Sequence, residues 1–322
     1  MNPIRSFLSL PAWKVAAGLT FAVASGAWAC PIPVCQFSLE YWDSDHYQVE
    51  VRHDGTFTDD QQAALDLLKA AADGEAPHAN VTITWRDYSQ ALVSPPEGAE
   101  LPYVRVRFPS MFGIRQPVWE GPLATEVIER QLFHSPMREK IAQELLDRRT
   151  AVWLLLESGD RSEDRRARRT LERELPRLEQ TLTFPDLGDT DWGDIVSEVD
   201  FSVLSLSRDD PDEQVFIDML LGSERDLREY EDKPIVFPIY GRGLIMYALI
   251  GDGISPMTLA RAGEFLTGPT SGEVKNQNPG VDILMAVDWK NKVERRSVYD
   301  AGGAHASGFM DRMREAEDRL RQ

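Results

Sequence analysis

Apolar and polar positions follow the same order twice along the chain. In each copy an apolar run suited to a β-strand comes first, a stretch with a helical pattern follows, and a second strand and a hairpin come next. The runs of the first copy lie at residues 47–51, 58–71, 80–85 and 101–121. The runs of the second copy lie at residues 151–156, 161–180, 199–206 and 233–251. This order predicts an α/β fold of two units, each with a mixed central sheet flanked by helices.

Capping signals mark several of the predicted helix starts. Thr58 is followed three residues later by Gln61, which is the spacing of a capping box. Ser135-Pro136 is predicted to end one helix and begin the next, and Ser255-Pro256 is predicted to begin another. Asp210-Pro211 also has the pattern of a helix start, because a capping side chain precedes a proline.

The helical pattern that closes the first copy ends near Arg149 and sets the predicted domain boundary. We predict a first domain at residues 30–150 and a second at residues 151–290. Residues 282–287 form one more apolar run, which is predicted to be a strand. From residue 291 to residue 322, glycines and charges interrupt every pattern, which predicts a weakly structured tail.

The repeated unit resembles the thioredoxin fold. In that fold the reactive thiols lie between the first strand and the next helix, where the helix N-terminus favours a thiolate. The resemblance places those positions at residues 53–57 and 158–161, and neither segment contains a cysteine. It places Pro102 and Pro234 where the fold commonly has a cis proline beside a peptide-binding groove, although each also fits a plain strand entry. The resemblance implies two tandem thioredoxin-like domains without the usual disulfide chemistry.

Residues 1–29 have the pattern of a secretory signal peptide. Arg5 and Lys14 precede an apolar stretch, and Ala27-Trp28-Ala29 has the form of a cleavage site. An uncleaved membrane anchor is the alternative interpretation. Cleavage predicts an exported protein of the periplasm or cell envelope with no remaining membrane span, since no later run has the length of a transmembrane helix.

The charge of the chain bears on its partners. The 322 residues carry a formal net charge of −18, and removing the two cations of the leader brings it from −18 to −20. Such a charge repels phosphate backbones and anionic lipid surfaces. We therefore predict an unidentified protein or peptide partner and no nucleic acid.

The two cysteines, Cys30 and Cys35, leave several interpretations open. An exported compartment permits a disulfide between them, and two inert thiols are equally compatible with the sequence. Cleavage after Ala29 makes Cys30 the first mature residue, which suits a lipid anchor, although Trp28 is bulkier than lipoprotein processing favours. A redox-active pair is the third interpretation, but no basic residue or helix start lies close enough in sequence to favour a thiolate.

Residues 268–280 form the longest polar and glycine-rich insert in the folded part. Amides and hydroxyls on such loops often bind ligands, and a plain solvent-facing loop is the alternative. With Tyr240-Gly241-Arg242-Gly243 before it, the insert resembles a family of exported bacterial proteins of unknown function that tend to have Cys-x-Cys at Thr270-Ser271-Gly272. The resemblance implies that a thiol pair, and any metal or redox role with it, is lost here. The candidate binding residues of both segments are Tyr240, Arg242, Thr270, Ser271, Lys275, Asn276 and Asn278.

The sequence has no recognisable catalytic or metal-binding motif. Its five histidines do not have the spacing of a zinc site, and no nucleophile elbow or phosphate-binding glycine loop is present. We therefore predict no catalytic residue, metal or cofactor, and we favour a non-catalytic exported binding or scaffold protein over an enzyme. The alternatives are a thiol-redox accessory that uses Cys30 and Cys35 and a transporter-associated lipoprotein anchored through Cys30.

Overall fold

The computed structural model describes residues 30–296 except for short gaps. These gaps cover residues 90–93, 96–97, 99, 115, 187–197, 271–274 and 276–279. The predicted signal peptide, the tail beyond residue 296, and the candidate residues Ser271, Asn276 and Asn278 lie outside the described residues. None of the helices in the described part combines the length and the apolar character needed to cross a bilayer.

The first half of the chain builds a four-stranded mixed sheet. It follows strand β1 (Cys30–Pro33) and helix α1 (Val34–Tyr41). Its strands are β2 (Tyr47–His53), β3 (Val81–Asp87), β4 (Tyr103–Arg107) and β5 (Pro117–Pro122), and helix α2 (Asp59–Ala72) connects β2 to β3. The strand order is β3-β2-β4-β5, with β2 and β3 parallel and the other neighbours antiparallel.

The helical segment after this sheet is broken where the sequence predicts a break. Helix α3 (Thr125–Ile128) continues into a π-helical turn (Glu129–Phe133), and helix α4 (Pro136–Leu146) begins after it. The Ser135 hydroxyl accepts a hydrogen bond from the backbone N–H of Arg138 at 3.1 Å, so Ser135 caps the new helix.

The second half repeats the strand arrangement of the first. Its strands are β6 (Ala151–Glu157), β7 (Phe201–Ser207), β8 (Ile235–Tyr240), β9 (Leu244–Ile245) and β10 (Leu249–Ile250). Its helices are α5 (Arg161–Thr181), α6 (Gln214–Gly222) and α7 (Pro256–Thr267). The order is β10-β8-β6-β7, with β6 and β7 parallel, the other neighbours antiparallel, and β9 also paired to β8. The protein is therefore α/β, with two mixed sheets flanked by helices.

The two described ends of the chain each pack on the distant half. Strand β1 pairs with strand β11 (Pro269–Thr270), and Ile32 and Phe37 share a hydrophobic core with Trp153 of β6. The segment that leads to helix α8 (Trp289–Lys292) packs in the opposite direction, since Ile283 and Trp289 lie in the core that contains the apolar face of the first sheet. Each segment packs against residues on the other side of the predicted boundary between residues 150 and 151. The two halves therefore share their cores.

The apolar run at residues 282–287 is not a strand, and the prediction that it is one is wrong. The Asn80 side chain donates a hydrogen bond to the Ile283 carbonyl at 3.2 Å and accepts one from the Met285 N–H at 2.8 Å. The Ile283 N–H donates to the Gly243 carbonyl at 2.9 Å. With the described parts of the chain, the run therefore makes only two isolated antiparallel bridges, of Asp282 with Leu244 and of Ala286 with Ala79, and the Asn80 side chain satisfies backbone groups between them.

Two further elements differ from the sequence-based predictions. Helix α6 begins at Gln214, because Asp210 and Glu213 form a turn in which the Glu213 N–H donates to the Asp210 carbonyl at 3.2 Å. The described start of the predicted tail is anchored, since Val293 is buried and the backbone N–H of Arg296 donates to the carboxylate of Glu40 at 3.0 Å.

Candidate functional site

The two helix starts that correspond to thiol positions in the resemblance carry oxygen caps. At the start of α2, Thr58 and Gln61 form the predicted capping box, with hydrogen bonds of 3.3 and 2.8 Å. At the start of α5, the Asp160 carboxylate accepts hydrogen bonds from the N–H groups of Ser162 at 2.8 Å and Glu163 at 3.3 Å. These N–H groups are the donors that stabilise a thiolate at a helix start. Both places are therefore already used by protein oxygens.

The loop before α5 is closed by a second carboxylate. Asp164 accepts hydrogen bonds from the N–H and hydroxyl of Ser158, both at 2.8 Å, and from the N–H of Gly159 at 3.1 Å. The N–H groups of Ser162 and Glu163 lower the pKa of Asp160, so that carboxylate is charged at neutral pH. Two acidic side chains at one helix start disfavour a further anion there.

A cavity of about 140 Å³ lies beside Pro234, and we call it the Pro234 groove. Arg166 and Thr170 of α5 line one wall, and the segment from Gly251 to Pro256 lines the other. The Gly251 N–H donates to the Pro234 carbonyl at 2.9 Å, which fixes the base of the second wall. The structure thus has a concave site next to one of the two prolines that the resemblance singles out.

An exposed ion pair bridges the two walls of the Pro234 groove. Arg166 lies 2.7 Å from Asp252 across the groove and 2.8 Å from Glu163 on its own helix. Asp252 is 89% exposed, and ion pairs this exposed contribute little to stability, so this one separates at low cost. The hydroxyls of Thr170 and Ser255 and the rings of two prolines complete the lining, which suits binding through shape and hydrogen bonds.

Pro102 is the counterpart of Pro234 in the first half. It is buried and follows a cis peptide bond, whereas the bond before Pro234 is trans. The Pro102 carbonyl accepts a hydrogen bond from the Leu123 N–H at 3.3 Å. The two prolines therefore occupy equivalent places before the third strand of each sheet and differ in backbone geometry.

Cys35 is a free thiol inside the core. Burial raises its pKa to about 12, so the thiolate that redox chemistry needs is nearly absent at neutral pH. The backbone of Cys30 pairs with Thr270 between β1 and β11, and the side chain of Cys30 lies outside the described part of the chain. Because Cys35 is unpaired, the structure does not contain the predicted Cys30–Cys35 disulfide, and the lipid anchor at Cys30 stays a prediction.

Arg242, a predicted binding residue, is committed to helix α1. It is 6% exposed, and its guanidinium donates to the carbonyls of Leu39 at 2.8 Å and Glu40 at 3.0 Å. A further nitrogen lies 2.9 Å from the Asp43 carboxylate. The last carbonyls of a helix have no partner within it, so the arginine satisfies groups that would otherwise be buried without one.

Lys275, another predicted binding residue, lies between two carboxylates that the sequence analysis did not select. Its Nζ is 3.5 Å from Asp45 Oδ1 and 3.5 Å from Asp282 Oδ2, and the Asp45 N–H donates to Asp282 at 2.8 Å. We call these three residues the Asp282 cluster. Asp45 and Asp282 are 237 positions apart in the sequence. The only sequence signal for Asp282 is that it is an acidic residue in an apolar run. Two other predicted binding residues, Tyr240 and Thr270, are fully buried.

Burial, together with Asp45 and despite Lys275, raises the pKa of Asp282 to about 6 from its ordinary value of 3.8. Between those values the folded protein binds a proton that the unfolded chain does not, so stability should fall as pH rises through this window and level off above it. The loss in the free energy of unfolding should reach at most about 3 kcal/mol.

In urea unfolding across this pH range, the free energy of unfolding of Asp282→Asn should depend less steeply on pH than that of the wild type. Asp252→Asn, at an exposed site, should keep the wild-type slope, and equal slopes for all three proteins would contradict the prediction.

No cluster of three or more metal-ligating side chains occurs within the described residues. The chain matches no protein-family model. It also matches no curated protein. The geometry thus comprises a buried thiol, two helix starts capped by oxygens and a groove bridged by an exposed ion pair.

Proposed function

We propose that the chain is a non-catalytic exported binding or scaffold protein whose two units are redox-inactive and thioredoxin-like. The observation that carries this proposal is the use of both helix starts by the oxygens of Thr58 and Asp160. A side-chain oxygen that already accepts hydrogen bonds from these N–H groups competes with a thiolate for the donors that would stabilise it. The leader pattern of residues 1–29 supports export to the periplasm or cell envelope.

The repeated topology supports the likeness between the two units. In each sheet the first strand lies next to the second in parallel and next to the third in antiparallel, and the fourth strand pairs with the third. Helices α2 and α5 occupy the same crossover in their respective units. The packing of each end of the described part on the opposite half joins the units, which suits a scaffold that presents fixed surfaces.

The Pro234 groove is the proposed place for a partner. Its volume of about 140 Å³ is below that of typical small-molecule pockets, which are about 300–1,000 Å³. A space of this size fits one side chain of a polypeptide. The backbone of β10 and Pro234 lies beside the groove. We therefore propose a short peptide segment with one anchoring side chain as the ligand.

Filling the groove tests the binding role. In Thr170→Trp the indole should occupy the cavity and weaken binding of an unfolded polypeptide by about tenfold, equivalent to about 1.4 kcal/mol. The probe is reduced, carboxymethylated α-lactalbumin with a fluorescent label, followed by anisotropy. Thr181→Trp is the matched control, because both threonines lie on α5 and both hydroxyls donate to the carbonyl four residues before them. Equal binding by both variants, or no binding by the wild type, would overturn the groove as the site.

The two alternatives make different demands on the cysteines. A thiol-redox accessory needs a reactive thiolate, and the buried Cys35, with its pKa near 12, is unsuited to that role. A lipoprotein needs an acylated Cys30. Mass spectrometry of the mature N-terminus distinguishes this case, since an acyl chain adds a discrete mass to the terminal peptide.

A further inference from the structure

One face of the first sheet is lined by polar and charged side chains. The other face is apolar, with Val49 and Val51 of β2 and Val104 and Val106 of β4 in the core with helix α2. Side chains alternate between the faces of a strand, so the intervening residues point the opposite way. We call this opposite side the arginine face. It comprises Gln48, Glu50, Arg52, Thr82, Thr84, Arg86, Tyr103, Arg105, Arg107 and Glu120.

The arginine face has the opposite charge to the rest of the protein. It carries four arginines against Glu50 and Glu120, which leaves a surplus of two positive charges. The whole chain has a net charge of −18. A local surplus of this sign on an acidic protein concentrates attraction for anions at one surface.

The positive charge of the face is not fully neutralised within it. Three guanidinium groups share the single carboxylate of Glu50, with distances of 2.7 Å from Arg52, 2.9 Å from Arg86 and 3.4 Å from Arg107. Each guanidinium has five N–H donors, and one carboxylate has about four acceptor sites. In the described part of the chain, the ion pairs of these arginines are confined to the face, with Arg105 paired to Glu120. Donors therefore remain for a further acceptor.

The face has a fixed centre and an accessible periphery. Arg52 and Glu50 have side chains only 8% exposed, and Arg52 is held by the Tyr103 hydroxyl at 2.8 Å. Arg86 and Arg107 have side chains 53% and 36% exposed, on the strands to either side of β2. The two outer arginines are thus aligned around a rigid centre and open to a partner.

We propose that the arginine face binds an acidic, extended segment of a partner protein. Side chains on one side of a strand recur about every 6.8 Å, and an extended peptide with alternating acids presents its carboxylates at the same interval. Guanidinium groups bind carboxylates through two parallel hydrogen bonds. A nucleic acid fits less well, because Glu50 and Glu120 interrupt the positive surface and the chain as a whole repels a polyphosphate.

The experiment compares two arginine pairs with one acidic probe. A fluorescein-labelled peptide of alternating glutamate and threonine is titrated with the mature protein at low and at physiological salt. The double substitution Arg86→Gln/Arg107→Gln should weaken binding about tenfold or more. The control Arg165→Gln/Arg169→Gln removes the same charge from exposed positions of α5 and should change affinity less than twofold. Thermal melting verifies folding, and if the double variant is unfolded, Arg86→Gln alone replaces it with a smaller loss in the same direction.

Each result decides for or against the proposal. Binding of the acidic peptide that weakens with salt and with loss of Arg86 and Arg107, together with no binding of a lysine-threonine peptide, supports it. Equal binding by the variant and the control, or no binding by the wild type, overturns it. Tighter binding of a thymidine oligonucleotide than of the acidic peptide overturns the choice of a polypeptide partner. The test does not involve the Pro234 groove, so the two binding proposals fail or succeed separately.

Discussion

Replacing Glu213 by glutamine should lower the free energy of unfolding by about 3 kcal/mol. Glu213 is 3% exposed, and its carboxylate accepts hydrogen bonds from the Ser135 hydroxyl at 2.5 Å and the Met137 N–H at 2.6 Å. It thereby joins the start of α4 in the first half to the start of α6 in the second. Glutamine has one acceptor oxygen, so one of these two buried donors would lose its partner.

The charge of Glu213 matters as well as its hydrogen bonds. Arg138 is 4% exposed and donates to the Leu284 carbonyl at 2.5 Å. Burial lowers the pKa of Arg138 to about 10, and the nearby charge of Glu213 opposes that shift. The neutral glutamine would leave a buried cation without this compensation, and such losses are costly.

Urea unfolding followed by tryptophan fluorescence measures the effect of Glu213→Gln. Glu264→Gln is the matched control, because Glu264 is exposed on α7 and the substitution removes the same charge. The control should change the free energy of unfolding by less than about 0.5 kcal/mol. A Glu213→Gln variant as stable as the control would show that Glu213 does not join the two halves.

Replacing Arg242 by lysine should cost about 2–3 kcal/mol of stability, even though the charge is kept. The guanidinium contacts the carbonyls of Leu39 and Glu40 and the carboxylate of Asp43 at the same time. A lysine has one nitrogen and lacks this planar fork, so at least one carbonyl at the end of α1 would be buried without a donor. Because α1 packs against the second half, its loosening should weaken the whole core around β6.

The Arg242 prediction separates a structural role from a ligand-binding role. Arg261→Lys, at an exposed position of α7, is the control and should leave the unfolding midpoint unchanged. If Arg242→Lys unfolds at the same urea concentration as the control, the contacts to α1 are dispensable. Arg242 would then be free for the binding role that the sequence analysis assigns to it.

Local signals were sufficient for much of the fold. The helical pattern at residues 161–180 matches the helix from Arg161 to Thr181, and the break before α4 follows from Ser135-Pro136. The parallel strand pairs follow from apolar runs separated by a helix. Each of these features depends on residues within a few positions of one another, where spacing and capping chemistry act directly.

Features that depend on distant partners could not be predicted in this way. Helix α1 has no side-chain cap at its start, and its partners Trp153 and Tyr240 lie far along the chain. The run at residues 282–287 has the composition of a strand, but it makes only isolated bridges, and the Asn80 side chain bonds the Ile283 carbonyl and the Met285 N–H. The Asp282 cluster and the arginine face likewise require the tertiary register, since no local pattern brings Asp45 to Asp282.

The proposed function requires binding and excludes thiol chemistry. Turnover of insulin disulfides by the purified mature protein, with dithiothreitol as reductant, tests this proposal. We expect the rate to equal the background without protein, and Cys35→Ala to give the same rate, because Cys35 is buried and both helix starts are capped by oxygens. Turnover above background that is lost in Cys35→Ala would contradict the proposal.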